Sequence, residues 1–138
     1  MGKNIVGFEK NIYYGLPMKK KILVIDDNED VLKLMKDILE ENNFESLTFN
    51  SPVEALKSLA VSKPNMIVVD LMMPQMSGIG LIRELKRQER TRHIPFVVLT
   101  SVVDDDVESE VRGLGAVGYL GKDRGHQQIV PILQKFAI

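Results

Sequence analysis

Asp26, Asp27, Asp70, Thr100 and Lys122 are the side chains of this chain whose types and placement suit phosphate or metal chemistry. Each stands at or just after the end of a short apolar run. Asp26 and Asp27 follow Ile22-Leu23-Val24-Ile25, Asp70 follows Met66-Ile67-Val68-Val69, Thr100 follows Phe96-Val97-Val98-Leu99, and Lys122 comes just after Val117 to Leu120. Carboxylates gathered within a few ångströms repel one another and raise each other's pKa. Such a group needs a cation, and a hard divalent ion with oxygen ligands is the natural one. Mg²⁺ typically takes one or two carboxylates and completes its shell with phosphate oxygens and water. Lys122 adds a point charge suited to phosphate, and Thr100 adds a hydroxyl donor. Together they match the spread charge of a phosphoryl group in transfer, where positioning and electrostatics dominate. An aspartate that accepts the phosphoryl group is a known form of nucleophilic catalysis. Taken singly, each residue has a plainer reading: Asp26-Asp27 as a helix entry, Asp70 as a loop residue.

Those residues act together only if the fold gathers them, and the apolar pattern predicts that it does. The runs are short, β-branched and apolar on both faces, as buried parallel strands are. Val31, Met35, Ile38 and Leu39 recur at helical spacing, with Glu29 and Asp30 at the end of the helix that favours acids. Phe44 to Phe49 reads as a weaker strand with Leu47 and Phe49 on one face. Ser51-Pro52-Val53-Glu54 predicts a capping box with proline at the first helical position, followed by the stripe Ala55, Leu56, Leu59 and Ala60. A loop with Pro74 and Gly78 precedes Leu81, Ile82 and Leu85, whose helix turns Arg83, Glu84, Lys86 and Arg87 outward. Val107, Val111 and Leu114 mark a helix that starts in Asp104-Asp105-Asp106. Val117 to Leu120 reads as the last strand, and Ile129, Val130, Leu133 and Phe136 mark the last helix. Five βα units in series predict an α/β fold with a parallel sheet covered on both faces. Count and size suit the flavodoxin-like doubly wound order 2-1-3-4-5. Its ligand crevice lies at the carboxyl ends of the strands, beside the switch between the first and third.

Composition narrows the function classes. At 138 residues, 44% hydrophobic and 27% charged, the chain is expected to form one globular domain with almost no room for a separate effector. Eighteen Lys and Arg against 19 Asp and Glu leave a net charge of −1, which argues against direct nucleic-acid binding. No run of eighteen apolar residues exists, so no membrane insertion is expected. Nor is there an apolar core of secretory-signal length, so the cytoplasm is the expected setting. Cysteine is absent, which excludes disulfides and thiolate metal sites. Residues 1–18 show neither helical nor strand periodicity and read as an N-terminal extension, with the domain over 19–138.

From about Lys20 to Phe136 the chain resembles the receiver domain of two-component response regulators. The likeness rests on K-I-L-V-I-D-D at Lys21–Asp27, V-V-D-L-M-M-P-Q-M-S-G at Val68–Gly78, V-V-L-T-S at Val97–Ser101 and G-A-V-G-Y-L-G-K at Gly115–Lys122. The resemblance implies phosphorelay signal transduction. Asp70 would accept a phosphoryl group from a sensor histidine kinase or phosphotransfer protein. Asp27 and Asp70 would bind Mg²⁺ directly, Asp26 mostly through water, and the Met72 backbone carbonyl would be the third protein ligand. Thr100 and Lys122 would contact the phosphoryl oxygens. Thr100 and Tyr119 would then reshape the face of helix four, strand five and helix five, where a downstream protein binds. Such a domain is a phosphoacceptor with self-catalysed transfer and dephosphorylation, not an enzyme with an external substrate, and is expected as a monomer or weak homodimer.

The sequence departs from that pattern at three places. Asp123 stands where proline usually follows the lysine, often through a cis bond. Without proline a cis bond costs ~2.5–4 kcal/mol, so a trans bond or a rearranged loop is expected. Gly80 weakens the start of helix three by up to ~1 kcal/mol relative to alanine. Pro131 lies within the last helix and is harmless if that helix starts near His126 or Gln127. A receiver that has lost phosphorylation is the main alternative. A metal-dependent aspartyl-phosphate phosphohydrolase of the haloacid dehalogenase type is disfavoured, because Asn28 occupies the position where its second aspartate belongs. Met72, Met73 and Met76 are read as packing, and His93 and His126 as isolated surface residues.

Overall fold

The computed structural model describes residues 18–138. The expected extension therefore lies outside the described residues, apart from Met18. The chain alternates β1 (Lys20–Ile25), α1 (Glu29–Glu41), β2 (Phe44–Phe49), α2 (Pro52–Ser58), β3 (Met66–Val69), α3 (Gly78–Arg87), β4 (Phe96–Thr100), α4 (Asp105–Gly113), β5 (Tyr119–Gly121) and α5 (Gly125–Phe136). The sheet is parallel, in the order β2-β1-β3-β4-β5.

Alternation along the strands builds two cores from one set of residues, because successive strand side chains point to opposite faces. Leu23, Ile25, Ile67, Val69, Phe96 and Val98 pack with Ala55, Leu59, Leu81, Ile82, Leu85 and Val111 from α2, α3 and α4. Ile22, Val24, Met66, Val68, Val97 and Leu99 pack with Leu32, Met35, Leu39, Ile129 and Leu133 from α1 and α5. Each fully buried Val, Leu, Ile, Phe or Met side chain among them contributes roughly 1.5–3 kcal/mol. Side-chain caps start four of the helices. Asn28 Oδ1 accepts from the N–H groups of Asp30 at 2.9 Å and Val31 at 3.2 Å. Ser51 Oγ accepts from Glu54, Ser77 Oγ from Gly80 and Asp104 Oδ1 from Val107. Each cap is worth about 1 kcal/mol.

The backbone ladders run past the strand ends, and this positions the polar residues. The Asp26 N–H donates to Phe49 O at 3.1 Å, that of Asp70 to Ile25 O at 3.0 Å, and that of Lys122 to Thr100 O at 2.8 Å. Asp26, Asp70 and Lys122 are thus held by the sheet, not by a free loop.

Several boundaries differ from expectation for local physical reasons. The strand expected over Val117–Leu120 is observed as Tyr119–Gly121. The chain first turns at Gly115, with φ of +108°, a conformation glycine adopts without steric cost. It then joins β4 through Val117 N–H to Phe96 O and Val98 N–H to Gly118 O. Helix α5 starts at Gly125, earlier than the late start that would spare Pro131. Gly125 is packed against Leu99 and Leu120 so closely that a Cβ would overlap Leu99 Cδ1. Pro131 therefore sits in the helix interior and cannot donate to the Gln127 carbonyl. Both residues are exposed, which leaves that carbonyl to water. Ala60 is exposed because α2 ends at Ser58. Leu32 takes the inward position on α1 beside Met35 and Leu39, with Val31 and Ile38 half-buried at its edges. Glu54 pairs with Lys57 at 3.4 Å, so the observed box bond is the one to Ser51 Oγ.

Candidate functional site

Asp26, Asp27 and Asp70 come together at the carboxyl ends of β1 and β3, with one oxygen of each within 4.8 Å of the others. Asp26 and Asp70 are each 2% exposed, whereas Asp27 is open to solvent. Lys122 reaches over from the end of β5. Its Nζ lies 2.7 Å from Asp26 Oδ2 and 3.6 Å from Asp70 Oδ2. The Lys122–Asp123 peptide is trans, since no cis bond occurs among the described residues. Lys122 thus reaches both buried carboxylates through a trans peptide, without a proline after it.

The two buried aspartates are not equivalent. Asp26 Oδ1 accepts the Asn28 N–H at 2.9 Å and its Oδ2 holds Lys122, so both oxygens are engaged. Asp70 Oδ1 is buried without a hydrogen-bond partner. Burial, and then the neighbouring Asp26 charge, raise the Asp70 pKa from 3.8 to about 6; Lys122 and a hydrogen bond from the Met72 backbone act against this. An orphaned buried oxygen costs roughly 1–3 kcal/mol if nothing satisfies it. The all-oxygen donor set and the uncompensated negative charge fit a hard divalent cation.

The loop after β3 is shaped by Gly78. Its N–H donates to Leu71 O at 3.0 Å. A Cβ at this position would overlap the Asp70 carbonyl oxygen and Leu71 Cα. The start of α3 is thereby pressed against the end of β3, and the Asp70–Met72 backbone is fixed between them. The Met72 side chain is 60% exposed, so it is the backbone of this residue that belongs to the site. Met73 is buried and Met76 packs against the core.

Thr100 is buried at the end of β4, with long contacts from its Oγ1 to Val102 N at 3.4 Å and Val102 O at 3.5 Å. These lie at the weak end of hydrogen-bond geometry, so the hydroxyl is available for a stronger acceptor. Tyr119 packs inward from β5. Its hydroxyl accepts the Asp104 N–H at 3.2 Å and lies 3.4 Å from Val102 O. The Val102 carbonyl is thus shared by Thr100 and Tyr119.

Asp26, Asp27, Asp70, Met72, Thr100, Tyr119 and Lys122 all lie at this end of the sheet; the histidines do not. His93 is exposed in the loop before β4, and His126 is half-buried on α5 with Nε2 unpartnered. Sequence reasoning missed three contributors: Asn28, which caps α1 and holds Asp26; Gly78; and the Val102 carbonyl. An Asn between two acids and a helix is a readable cap signal. A close approach at glycine or a backbone acceptor carries no such sign.

Strand order and the polar group beside its switch point define a doubly wound signalling or nucleotide-type domain. Within that class, residues 22–134 match the model of the response regulator receiver domain, and the chain belongs to that family. The polar-differentiation response regulator DivK of Brucella ovis is 31% identical over 105 residues, spanning 76% of this chain and 85% of the relative. The Francisella response regulator 1452 receiver domain superposes with a TM-score of 0.80 at 25% identity, covering 86% of this chain and 97% of that one. The receiver domain of the sensor histidine kinase PA1611 from Pseudomonas aeruginosa PAO1 has a TM-score of 0.77 at 22% identity, covering 86% and 98%. That likeness concerns the fold; in the PA1611 structure a magnesium ion is coordinated in the active-site cleft. The chain is a receiver domain of two-component phosphorelay signalling. Receiver domains are signalling modules that bind Mg²⁺ in an acidic pocket and interact with histidine kinases or phosphotransfer proteins and with downstream effectors. No helix among the described residues is long and apolar enough to cross a membrane.

Proposed function

We propose that Asp70 is the phosphoacceptor of a cytoplasmic phosphorelay receiver over residues 19–138. The observation that carries this reading is the buried Asp70 carboxylate, with one unpartnered oxygen, beside Lys122 Nζ and two further carboxylates. An Asp70 oxygen attacks phosphorus of a phosphohistidine on a kinase or phosphotransfer protein. The P–N bond breaks, its electron pair stays on the imidazole nitrogen, and an acyl phosphate forms. Lys122, 3.6 Å from Asp70 Oδ2, meets the phosphoryl oxygens as a point charge, and the Thr100 hydroxyl exchanges its long contacts for one of them. Asp27, Asp70 and the Met72 carbonyl would hold Mg²⁺, with Asp26 acting through water. When bound, that ion supplies the positive charge that offsets the carboxylates and the transferring group.

The acyl phosphate adds about −1.5 to −2 charge and new acceptors beside Thr100. Drawing the Thr100 hydroxyl away from Val102 alters the carbonyl that Tyr119 also contacts. The β4–α4 loop then repacks, and with it the α4–β5–α5 face that meets a downstream protein. The domain acts as monomer or weak homodimer and turns over no external substrate beyond its phosphodonor.

Incubation with acetyl phosphate and Mg²⁺ tests the reading. One acid-stable, base-labile phosphoryl group is expected, mapping to Asp70 by mass spectrometry and absent in Asp70→Ala. An unmodified wild type alongside saturable Mg²⁺ binding, or an undiminished yield in Asp70→Ala, overturns it. A degenerate receiver would show neither modification nor saturable binding.

A further inference from the structure

A second polar concavity lies at the opposite end of the sheet. A cavity of 270 Å³ opens between the end of α2, the loop into β3 and the loop into β4, lined by Leu59, Ser62, Lys63, Pro64, Arg90, Thr91, His93 and Ile94 among others. Its lining is divided by chemistry. Leu59, Pro64 and Ile94 are buried and supply an apolar floor, while the exposed Lys63, Arg90 and His93 ring the mouth. No aspartate or glutamate lines it. In a chain of net charge −1, a cavity whose charged lining is Lys63 and Arg90 alone is a local excess. Among the described residues neither Lys63 nor Arg90 makes an ion pair, and Glu89 is turned to Arg92.

The walls are built before any ligand arrives. Thr91 Oγ1 donates to Leu85 O at 2.7 Å in a buried bond, Lys86 Nζ donates to Arg92 O at 3.0 Å, and Ile94 N–H donates to Thr91 O at 3.0 Å. Across the cavity, Ser62 is tied to Ser58 O through both its N–H and its hydroxyl. Pre-formed concavities with an apolar lining and a few placed polar groups are what small-ligand sites look like. The volume of 270 Å³ lies just below the roughly 300–1,000 Å³ range for drug-sized ligands, which suits a fragment-sized molecule.

We propose that this cavity binds a small organic anion: an apolar body against Leu59, Pro64 and Ile94, and one carboxylate or phosphate group at Lys63 and Arg90. The site lies at the amino ends of β3 and β4, whose carboxyl ends carry Asp70 and Thr100. It is separated from the acidic cluster by a strand length of roughly 13–17 Å.

Titration of the ¹⁵N-labelled full chain, without divalent ions, tests this with three probes: benzoate, benzyl alcohol of the same shape without charge, and inorganic phosphate as a head group without a body. Benzoate is expected to shift the amides of Ser62, Lys63, Thr91 and Ile94 saturably, and to bind at least fivefold tighter than either other probe. The double variant Lys63→Gln/Arg90→Gln alters exposed positions whose effect on stability is small, and is expected to weaken benzoate at least fivefold. Phenyl phosphonate at the same residues distinguishes a phosphate-type from a carboxylate preference. The proposal fails if benzoate gives no saturable shift at these amides. It fails equally if benzyl alcohol or phosphate alone binds as tightly as benzoate, or if the double variant binds like the wild type.

Discussion

The two ends of this parallel sheet are made of the same strands and treat their polar groups in opposite ways. At the amino end the polar groups of Asn65 and Lys20, beside the cavity ringed by Lys63 and Arg90, are matched by short bonds. Asn65 accepts the Lys21 N–H at 2.7 Å, returns its own N–H to Lys21 O at 2.8 Å, and donates its side-chain amide to Ile138 O at 2.6 Å. Lys20 Nζ donates to Ala137 O at 2.9 Å. At the carboxyl end one carboxylate oxygen is orphaned, the Thr100 and Tyr119 contacts to the Val102 carbonyl stretch to 3.4–3.5 Å, and two of the three clustered carboxylates share one ammonium. The first end contributes stability. The second holds unmet bonding capacity that a ligand can satisfy, so its stability depends on what is bound.

Substitutions can break or sharpen that contrast. The largest loss is expected from Gly78→Ala, because the added Cβ meets main-chain atoms of Asp70 and Leu71 that have no rotamer to yield. We expect more than about 3 kcal/mol in urea denaturation, together with loss of Mg²⁺ binding. At the amino end, Asn65→Ala removes the partners of Lys21 and Ile138 and should cost about 1–3 kcal/mol. Phosphorylation measured at a temperature where the variant is folded should stay at the wild-type rate; a matching loss of both would erase the division between the ends.

Asp70→Asn should move stability in the other direction. In the ion-free protein it removes one buried charge from a repelling pair, so the urea midpoint should rise, while the Mg²⁺-dependent gain seen in the wild type should disappear. The pH dependence follows with the same sign. Because the folded Asp70 pKa is raised from 3.8 to about 6, the folded chain holds a proton there that the unfolded chain has released. That contribution is complete below about pH 3.8 and is lost as pH rises through 6. Wild-type stability should therefore fall across this window relative to Asp70→Asn, and saturating Mg²⁺ should flatten the difference. A wild type that gains on Asp70→Asn across the window would contradict the assignment of Asp70 as the destabilised carboxyl. The smallest effect is expected from Tyr119→Phe. It removes the acceptor of the Asp104 N–H, costs about 1 kcal/mol or less, and should appear as faster amide exchange at Asp104.

The site was legible in the sequence because its residues follow the features that are easiest to read. Asp26, Asp70 and Thr100 each close an apolar run, and a doubly wound order places such closures side by side. The strand order was legible from the count of five βα units and the size of the chain. What escaped was set by main-chain contacts. The start of α5 depends on how closely Gly125 meets Leu99, the start of β5 on a turn at Gly115, and the position of Met72 on the approach of Gly78 to β3. The Asn65 bonds join residues 44 and 73 positions apart, and no local pattern announces them. The condition under which Pro131 would be harmless, a helix start near His126 or Gln127, is not met, and the sequence does not mark the start because helix starts are judged from caps. Arg124 gives no side-chain cap, and the helix is begun by packing instead.

Pro131 has a consequence for cooperativity. Helix propagation normally ties each turn to the one before it through an unbroken chain of bonds, and here one link, from residue 131 to Gln127, does not exist. The first turn and a half of α5 has neither a side-chain cap at its front nor that bond at its rear, and is retained by the contacts of Gly125 and Ile129 with the sheet. The two halves of the helix are therefore expected to exchange their amides at different rates, faster in the half attached to the loop that carries Lys122.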